Sequence, residues 1–213
     1  MARPKQERAV QTRETILRAA AEVFDEHGFF GASVSRILER AGVTAGAMYF
    51  HFESKEGLAR AVMNAQPSTI VPLAETDGLQ RVVDITMIWS QQLQQNTMLR
   101  AGVRLSTDQS DFSAVDASTS YRDWTQILEE SLRVASEKGE LQVGVDAHEL
   151  AEFIVEHCSG MQIFASAVSG RYREDLTERT VRMWQVLLPG IAVPAVVART
   201  EVSPQRAQDA AHV

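Results

Sequence analysis

The sequence contains almost no cysteine and no long uninterrupted apolar segment. Its single cysteine, Cys158, cannot form a disulfide within the chain, and no group of cysteine and histidine has the spacing of a zinc site. A stretch of about eighteen apolar residues, as a membrane-spanning helix requires, is absent. The basic N-terminal segment MARPKQERAVQTR is not followed by an apolar one, which argues against a secretory signal peptide. We therefore expect a cytoplasmic protein with no membrane partner, metal or cofactor.

The charge balance at first disfavours nucleic acid as a partner, because the net charge is −7. The charges are unevenly distributed, however: residues 1–60 carry nine Lys or Arg against eight Asp or Glu. The basic residues nearest the N-terminus are Arg3, Lys5, Arg8 and Arg13. Phosphate contact requires local positive charge rather than a positive protein, so this end could contact DNA. A solvated tail is the alternative.

Helical periodicity dominates the chain, and the sustained alternation typical of strands is absent, so we predict an all-α protein. We expect a helix-turn-helix domain of three helices in residues 1–53, a helical bundle for ligand binding and dimerisation in 54–200, and a flexible tail in 201–213. The segment 106–120, rich in Ser, Thr and Asp, predicts a loop. The predicted helices cover residues 7–27, 34–41, 45–51, 55–66, 79–97, 99–105, 121–138, 147–168 and 174–188.

Residues 33–51, SVSRILERAGVTAGAMYFH, form the most informative segment. A short helix, a glycine-containing turn and a second capped helix follow one another, as in a helix-turn-helix whose second helix enters the major groove. Ser33 and Thr44 can cap the two helices, and Gly42 permits a turn with positive φ. A helical hairpin in a purely structural bundle is the alternative, since short capped helices are common.

The second helix indicates how DNA would be contacted. Its first residues are small and allow a close approach, while Tyr49 and His51 can reach phosphates or a thymine methyl. Ser33 and Lys55 begin the flanking helices, where amides and a cation suit phosphate. We expect Phe50 and Phe52 in the core. The predicted DNA contacts are Arg3, Lys5, Arg8, Ser33, Thr44, Ala45, Gly46, Tyr49, His51 and Lys55.

The stretch from Thr12 to Leu58 resembles the TetR family of repressors, most specifically in AGVTAGAMYFHFESKEGL. Five further segments are similar to one branch of that family, the γ-butyrolactone autoregulator receptors: MYFHFESKEGLARAVMNAQ, RAGVRLSTDQ, YRDWTQIL, GELQ and LPGIAVPAV. The resemblance implies a DNA-binding repressor controlled by a ligand in its C-terminal bundle. Ala45 departs from the branch, where a lysine is usual, and so removes one phosphate anchor.

The resemblance also implies that Gln66, Trp124 and His157 meet the lactone. The branch commonly has threonine in place of His157, which leaves a furan or butenolide open as the effector. Independently of the family, Gln162 is a polar residue on an otherwise apolar helix and needs a partner or a ligand. We expect Trp89 and Met161 to line the pocket as well. Ordinary core roles are the alternative for all six residues.

Regulation would require two copies of the chain. One recognition helix supplies only a few base contacts, so we expect a homodimer on a palindromic operator of double-stranded DNA. The helices 146–168 and 174–188 are the expected interface. A small-molecule effector would favour the conformation in which the two recognition helices are wrongly spaced for DNA.

Two other functions remain open. A hydrolytic enzyme is one alternative. Its active site could be assembled from Asp108, Asp111, Asp116, Asp123 and His157, although their spacing does not require it. We expect no enzyme. The nearer alternative is a TetR-type repressor that senses an antibiotic or another drug-like molecule.

Overall fold

Helices form nearly all of the secondary structure in the computed structural model, which describes residues 3–71, 74–107 and 116–210. For residues 3–5, 207, 209 and 210 it describes the backbone alone. Within these ranges there is no strand, so the all-α prediction is confirmed. None of the helices described is long and apolar enough to cross a bilayer. The helices are α1 (Arg3–Gly31), α2 (Val34–Ala41), α3 (Ala45–Phe52), α4 (Lys55–Asn64), α5 (Gly78–Gln95), α6 (Thr97–Thr107), α7 (Ser118–Glu137), α8 (Ala147–Val168), α9 (Leu176–Ile191), α10 (Pro194–Arg199) and α11 (Pro204–Ala210).

The described residues divide into two compact units. The N-terminal unit contains residues 3–66, 96–107 and 116–120, and the C-terminal unit contains residues 67–71, 74–95 and 121–210. This division differs from the expected boundary at residue 53, because α4 and α6 both pack on α1 and on each other. The functional boundary at residue 53 stays a prediction.

The N-terminal unit is built around α1, whose inward stripe includes the buried side chains of Ile16, Ala20 and Phe24. Gly28 adopts φ 66° directly after the predicted helix end at residue 27, but a further helical turn continues to Gly31. Helices α2, α3, α4 and α6 all pack against α1.

A buried ion pair fastens α6 to α1. Arg100 Nε lies 3.1 Å from Asp25 Oδ2, and both side chains are less than a tenth exposed. Arg104 Nη1 donates to the main-chain oxygen of Asp25 at 2.6 Å. Because the carboxylate is buried away from water, removal of its partner guanidinium would strongly destabilise the fold.

In the C-terminal unit, α5 packs on α9 and α11, and α8 packs on α9. Trp184 donates from Nε1 to Thr86 Oγ1 at 2.7 Å, which joins α9 to α5 in the interior. Asp146 Oδ1 accepts from the Glu149 amide and so caps α8 at the predicted start of this helix. Helix α9 continues through Pro189 to Ile191, beyond its predicted end at residue 188. Carbonyls of its last turn are bonded by the Gln142 side chain and by backbone amides.

Part of the expected flexible tail is helical, so that prediction is wrong for residues 204–210. The Arg206 guanidinium binds Asp84 of α5 through two contacts, of 2.6 and 3.1 Å, and α11 packs on α5. The reason is electrostatic: Asp84 is buried and Arg206 supplies a compensating charge. The expected loop 106–120 is also too wide, because α6 includes Ser106 and Thr107 and α7 begins at Ser118. Residues 108–115 and 211–213 lie outside the described residues.

Replacing Arg100 by Met should lower the free energy of unfolding by about 3 kcal/mol, because Asp25 stays buried without its guanidinium. The control is the same change at Arg133, which pairs with Glu129 at the surface, where the loss of stability should be much smaller. Urea unfolding followed by circular dichroism, at one fixed protein concentration, measures both. Equal losses in the two variants would contradict the prediction.

Candidate nucleic-acid interface and ligand-binding residues

Side-chain caps and a left-handed glycine shape the segment from α2 to α3. Ser33 Oγ accepts from the Arg36 amide at 3.2 Å, and Thr44 Oγ1 accepts from the Ala47 amide at 3.4 Å. Gly42 ends α2 with φ 64° and ψ 33°. Each of these features was predicted, and together they form the helix, turn and capped helix of a helix-turn-helix.

Two buried side chains fix the orientation of α3. Met48 is fully buried and Phe52 is 5% exposed, and their spacing of four residues places them on one side of the helix. Phe50 lies two residues from each, about 200° around the helix, and is 80% exposed. The expectation that Phe52 belongs to the core is confirmed, but the same expectation for Phe50 is wrong.

The solvent-facing surface of α3 and its cap contains several of the predicted DNA contacts. Thr44, Ala45, Gly46 and Tyr49 are exposed, and His51 is half-buried. The ring of Phe50 meets the His51 ring edge to face at 5.1 Å between centroids. Ala45 leaves the first residue of the helix without the cation that the resemblance leads one to expect.

A tight connection joins α3 to α4. Ser54 Oγ caps α4 by accepting from the Gly57 amide at 3.0 Å. A Cβ at Gly57 would lie 2.2 Å from the Phe52 carbonyl oxygen, so the close approach requires glycine. Lys55 Nζ lies 4.3 Å from the centroid of the Phe29 ring, and burial lowers the pKa of Lys55.

The basic N-terminal residues lie on the first turns of α1. The backbone of Arg3 and Lys5 is helical, and their side chains are outside the description. Arg8 is exposed, and the guanidinium of Arg13 lies 5.1 Å from the centroid of the Phe52 ring. These charges therefore belong to the same unit as α3.

Among the predicted ligand contacts, Gln66 lies in the N-terminal unit and is buried. Its Nε2 donates to Ser120 Oγ at 3.3 Å. A Cβ at Gly102 of α6 would lie 2.6 Å from Gln66 Cγ, so glycine makes room for this side chain. The position of Gln66 therefore depends on α6 as well as on α4.

Three more predicted contacts lie in the C-terminal unit, where Trp89 is buried and Trp124 is half-buried. Gln162 is 1% exposed, and its Oε1 accepts from Arg173 Nε at 3.0 Å. Its Nε2 has no hydrogen-bond partner among the described residues. A buried amide donor without a partner is rare in native proteins and points to a missing acceptor.

His157 and Met161 were expected among the pocket residues, but they line an open groove of about 970 Å³ between α8 and α9. The His157 ring stacks on Phe153 at 6.0 Å, and His157 is exposed. Phe164 and Val186 line the same groove and are also exposed. The sequence could not distinguish the inner face of α8 from the outer one, because this helix is apolar on both.

The structure describes two of the four acidic residues considered for catalysis. Asp108 and Asp111 lie outside the described residues, while Asp116 and Asp123 are exposed. In the part of the chain that the structure describes, no three residues of His, Cys, Asp or Glu are grouped so that they could hold a metal ion.

Two protein-family models match the chain. Residues 16–62 match the family described as bacterial regulatory proteins, tetR family, and residues 76–194 match the tetracyclin repressor-like C-terminal domain. The A-factor receptor protein of Streptomyces griseus is 41% identical over 194 residues, which span 91% of this chain and 68% of the receptor.

Solved structures of TetR-type regulators have the same fold as this chain. Native TylP, a TetR regulator from Streptomyces fradiae, superposes with a TM-score of 0.88 at 36% identity, covering 95% of this chain and 97% of that one. A γ-butyrolactone receptor described as ArpA-like superposes with a TM-score of 0.67 at 28% identity, covering 96% and 98%. These relatives are regulators rather than enzymes, and they support the branch inferred from the sequence. The chain belongs to the TetR family of DNA-binding transcriptional repressors.

Proposed function

We propose that this repressor binds a palindromic operator as a homodimer and is released by a γ-butyrolactone-type, butenolide or furan signalling molecule, and so controls secondary metabolism. The observation that carries the effector half of the proposal is the buried amide of Gln162, whose Nε2 has no acceptor among the described residues. The likeness to the A-factor receptor and to a γ-butyrolactone receptor supports the class of effector.

DNA contact follows from the exposed surface of α3. The small residues Ala45 and Gly46 at the start of this helix leave room for a close approach, and Tyr49 is exposed one turn later. Arg8, Ser33 and Lys55 are proposed to contact phosphates. Such contacts position the helix, while the side chains of α3 read the bases.

Effector binding requires polar groups within an apolar bundle. A lactone carbonyl or a hydroxyl group can accept a hydrogen bond from Gln162 Nε2, whose Oε1 is already bonded to Arg173. We place Trp89 and Trp124 beside the effector, as aromatic walls. Gln66 remains a proposed contact by resemblance. The exposed His157 and the half-buried Met161 line the groove between α8 and α9, which favours the dimer interface for those two.

Within the N-terminal unit, α4 is the proposed route by which effector binding affects the DNA-binding surface. Gln66 follows the last turn of α4 and Lys55 begins its first, so movement at one end reaches the other. Gln66 also fits against Gly102 of α6, and α6 is tied to α1 by the Asp25–Arg100 pair. An effector that favours the released form a hundredfold contributes about 2.7 kcal/mol towards release.

The groove between α8 and α9 supports the dimer. Phe153, Phe164 and Val186 are exposed large apolar side chains on these two helices. A second copy placed against this groove would bury them, which stabilises association through the hydrophobic effect. Two chains then present two recognition helices to the two halves of a palindrome.

A gel shift with the upstream DNA of the repressor's own gene tests the proposed function. We expect nanomolar protein to retard the DNA. A synthetic γ-butyrolactone with a hydroxylated alkyl side chain should then dissociate the complex. A matched panel of butenolides, furans and antibiotics distinguishes the proposal from the drug-sensing alternative. Release by an antibiotic but by none of the signalling molecules would favour that alternative.

Replacing Gln162 by Met should weaken effector binding by tenfold or more, because an amide-to-oxygen hydrogen bond is worth about 1–3 kcal/mol when its loss leaves a buried group unpaired. The stability of the effector-free protein should not fall, since the unpartnered amide is removed and Arg173 Nε keeps the main-chain oxygen of residue 162. Calorimetric titration with the active lactone measures the effect. Gln126→Met, at an exposed residue of α7, is the control. Wild-type affinity in the Gln162 variant would contradict the assignment.

Replacing Val186 by Asp should convert the dimer to monomer and weaken operator binding more than tenfold, because a charge would be buried at the interface. Val143→Asp is the matched control, since Val143 is another exposed valine but lies in the turn before α8. Analytical ultracentrifugation reports the association state of each variant. A dimer that survives the Val186 substitution would place the interface elsewhere.

A further inference from the structure

The outward stripe of α3 lacks the side chains that usually read purines. Helical spacing places Gly46, Tyr49 and Phe50 on one side of the helix, and all three are exposed. The stripe ends at the acidic residue Glu53, the C-cap of the helix. The whole helix, AGAMYFHF, contains no Arg, Lys, Asn or Gln.

This composition limits how the helix can read DNA. In the major groove, Arg or Lys pairs with guanine and Asn or Gln pairs with adenine, each through two hydrogen bonds. An apolar side chain instead contacts the C5-methyl group, which among the four bases only thymine presents there. The composition of α3 therefore favours contact with thymine methyl groups over the usual two-bond readout of purines.

Phe50 is the side chain of α3 best placed for this contact. It is 80% exposed, whereas Tyr49 is 49% exposed and carries a hydroxyl group that suits a phosphate oxygen. The Phe50 ring is braced edge to face by His51. A rigid aromatic group held at the helix surface loses little conformational entropy when it binds.

Gly46 supports the same conclusion independently. Among the described residues, a Cβ at Gly46 would approach only Thr44 Oγ1, at 3.9 Å, so the fold itself has room for a side chain. Glycine within a helix is unfavourable by about 1 kcal/mol relative to alanine. The lack of a side chain one turn before Phe50 leaves space for an external partner to come close to the helix.

We propose that Phe50 determines operator specificity by packing against a thymine C5-methyl group in each half-site. This inference rests on the proposed operator binding, and it adds the residue and the base that are recognised. Tyr49 and His51 then contact the DNA backbone beside that thymine. An operator half-site must accordingly contain a thymine whose methyl group faces the middle of α3.

The test compares thymine with deoxyuridine, which pairs identically but lacks the methyl group. Duplexes selected from a random pool by the wild-type protein supply the operator, and each thymine is replaced in turn. At one thymine per half-site, the wild-type Kd should rise about fourfold for each methyl group lost. The Phe50→Ala protein should bind thymine and deoxyuridine duplexes equally at that position. Low salt keeps its binding measurable through the phosphate contacts.

Two further variants complete the comparison. Phe50→Leu retains an apolar side chain and should keep part of the discrimination between thymine and deoxyuridine. Phe30→Ala removes another exposed phenylalanine, which lies outside α3, and should discriminate as the wild type does. Wild-type discrimination in Phe50→Ala, or a wild-type protein insensitive to every thymine replacement, would overturn the inference. A protein that selects no sequence from the pool would instead refute operator binding itself.

Discussion

The burial of Met48 and Phe52 is the constraint on which the DNA-binding surface depends. The two side chains occupy one side of a helix of eight residues, so they fix the rotation of α3 about its axis. That rotation determines which residues face outward, and it places Phe50 opposite the core. The caps at Thr44 and Ser54 fix where α3 and α4 begin, and the absence of a side chain at Gly57 keeps the start of α4 against the end of α3. A short helix with little stability of its own thereby presents a defined surface.

The two units contribute different kinds of interaction. In the N-terminal unit, the buried pair Asp25–Arg100 connects α1 to α6, and α6 in turn adjoins Gln66 through Gly102. In the C-terminal unit, the side-chain oxygen of Gln162 accepts from Arg173, while Nε2 of the same amide has no acceptor among the described residues. A helix connection fixed by an ion pair and a buried polar group without a partner both fit the proposed control by an effector.

Local chemistry explains what could be predicted from the sequence. The capping residues Ser33, Thr44 and Asp146, and the turn at Gly42, act on amides or dihedral angles within a few residues, so sequence spacing was sufficient. The helix ends agree with the predictions to within a few residues for the same reason. The family resemblance then supplied the class of function, which no spacing rule could give.

Two predictions were wrong, the core position of Phe50 and the flexible tail over residues 204–210, while the ligand contacts of His157 and Met161 stay predictions. Phe50 was assigned to the core on hydrophobicity alone, although its position relative to Met48 and Phe52 already indicated the opposite side of the helix. Helix α11 is held by Arg206 on Asp84, a contact that spans 122 residues and has no local signal. For His157 and Met161, an apolar helix with two apolar faces did not indicate which face lies inward.

The most direct test of this account is the ¹⁹F NMR spectrum of the protein with 4-fluorophenylalanine at position 50. An operator duplex, once bound, should shift this resonance, because the ring enters a new environment against a base. A duplex of unrelated sequence at the same concentration should shift it less. A resonance that stays unchanged while the operator is fully bound would contradict the claim that this surface of α3 reads DNA.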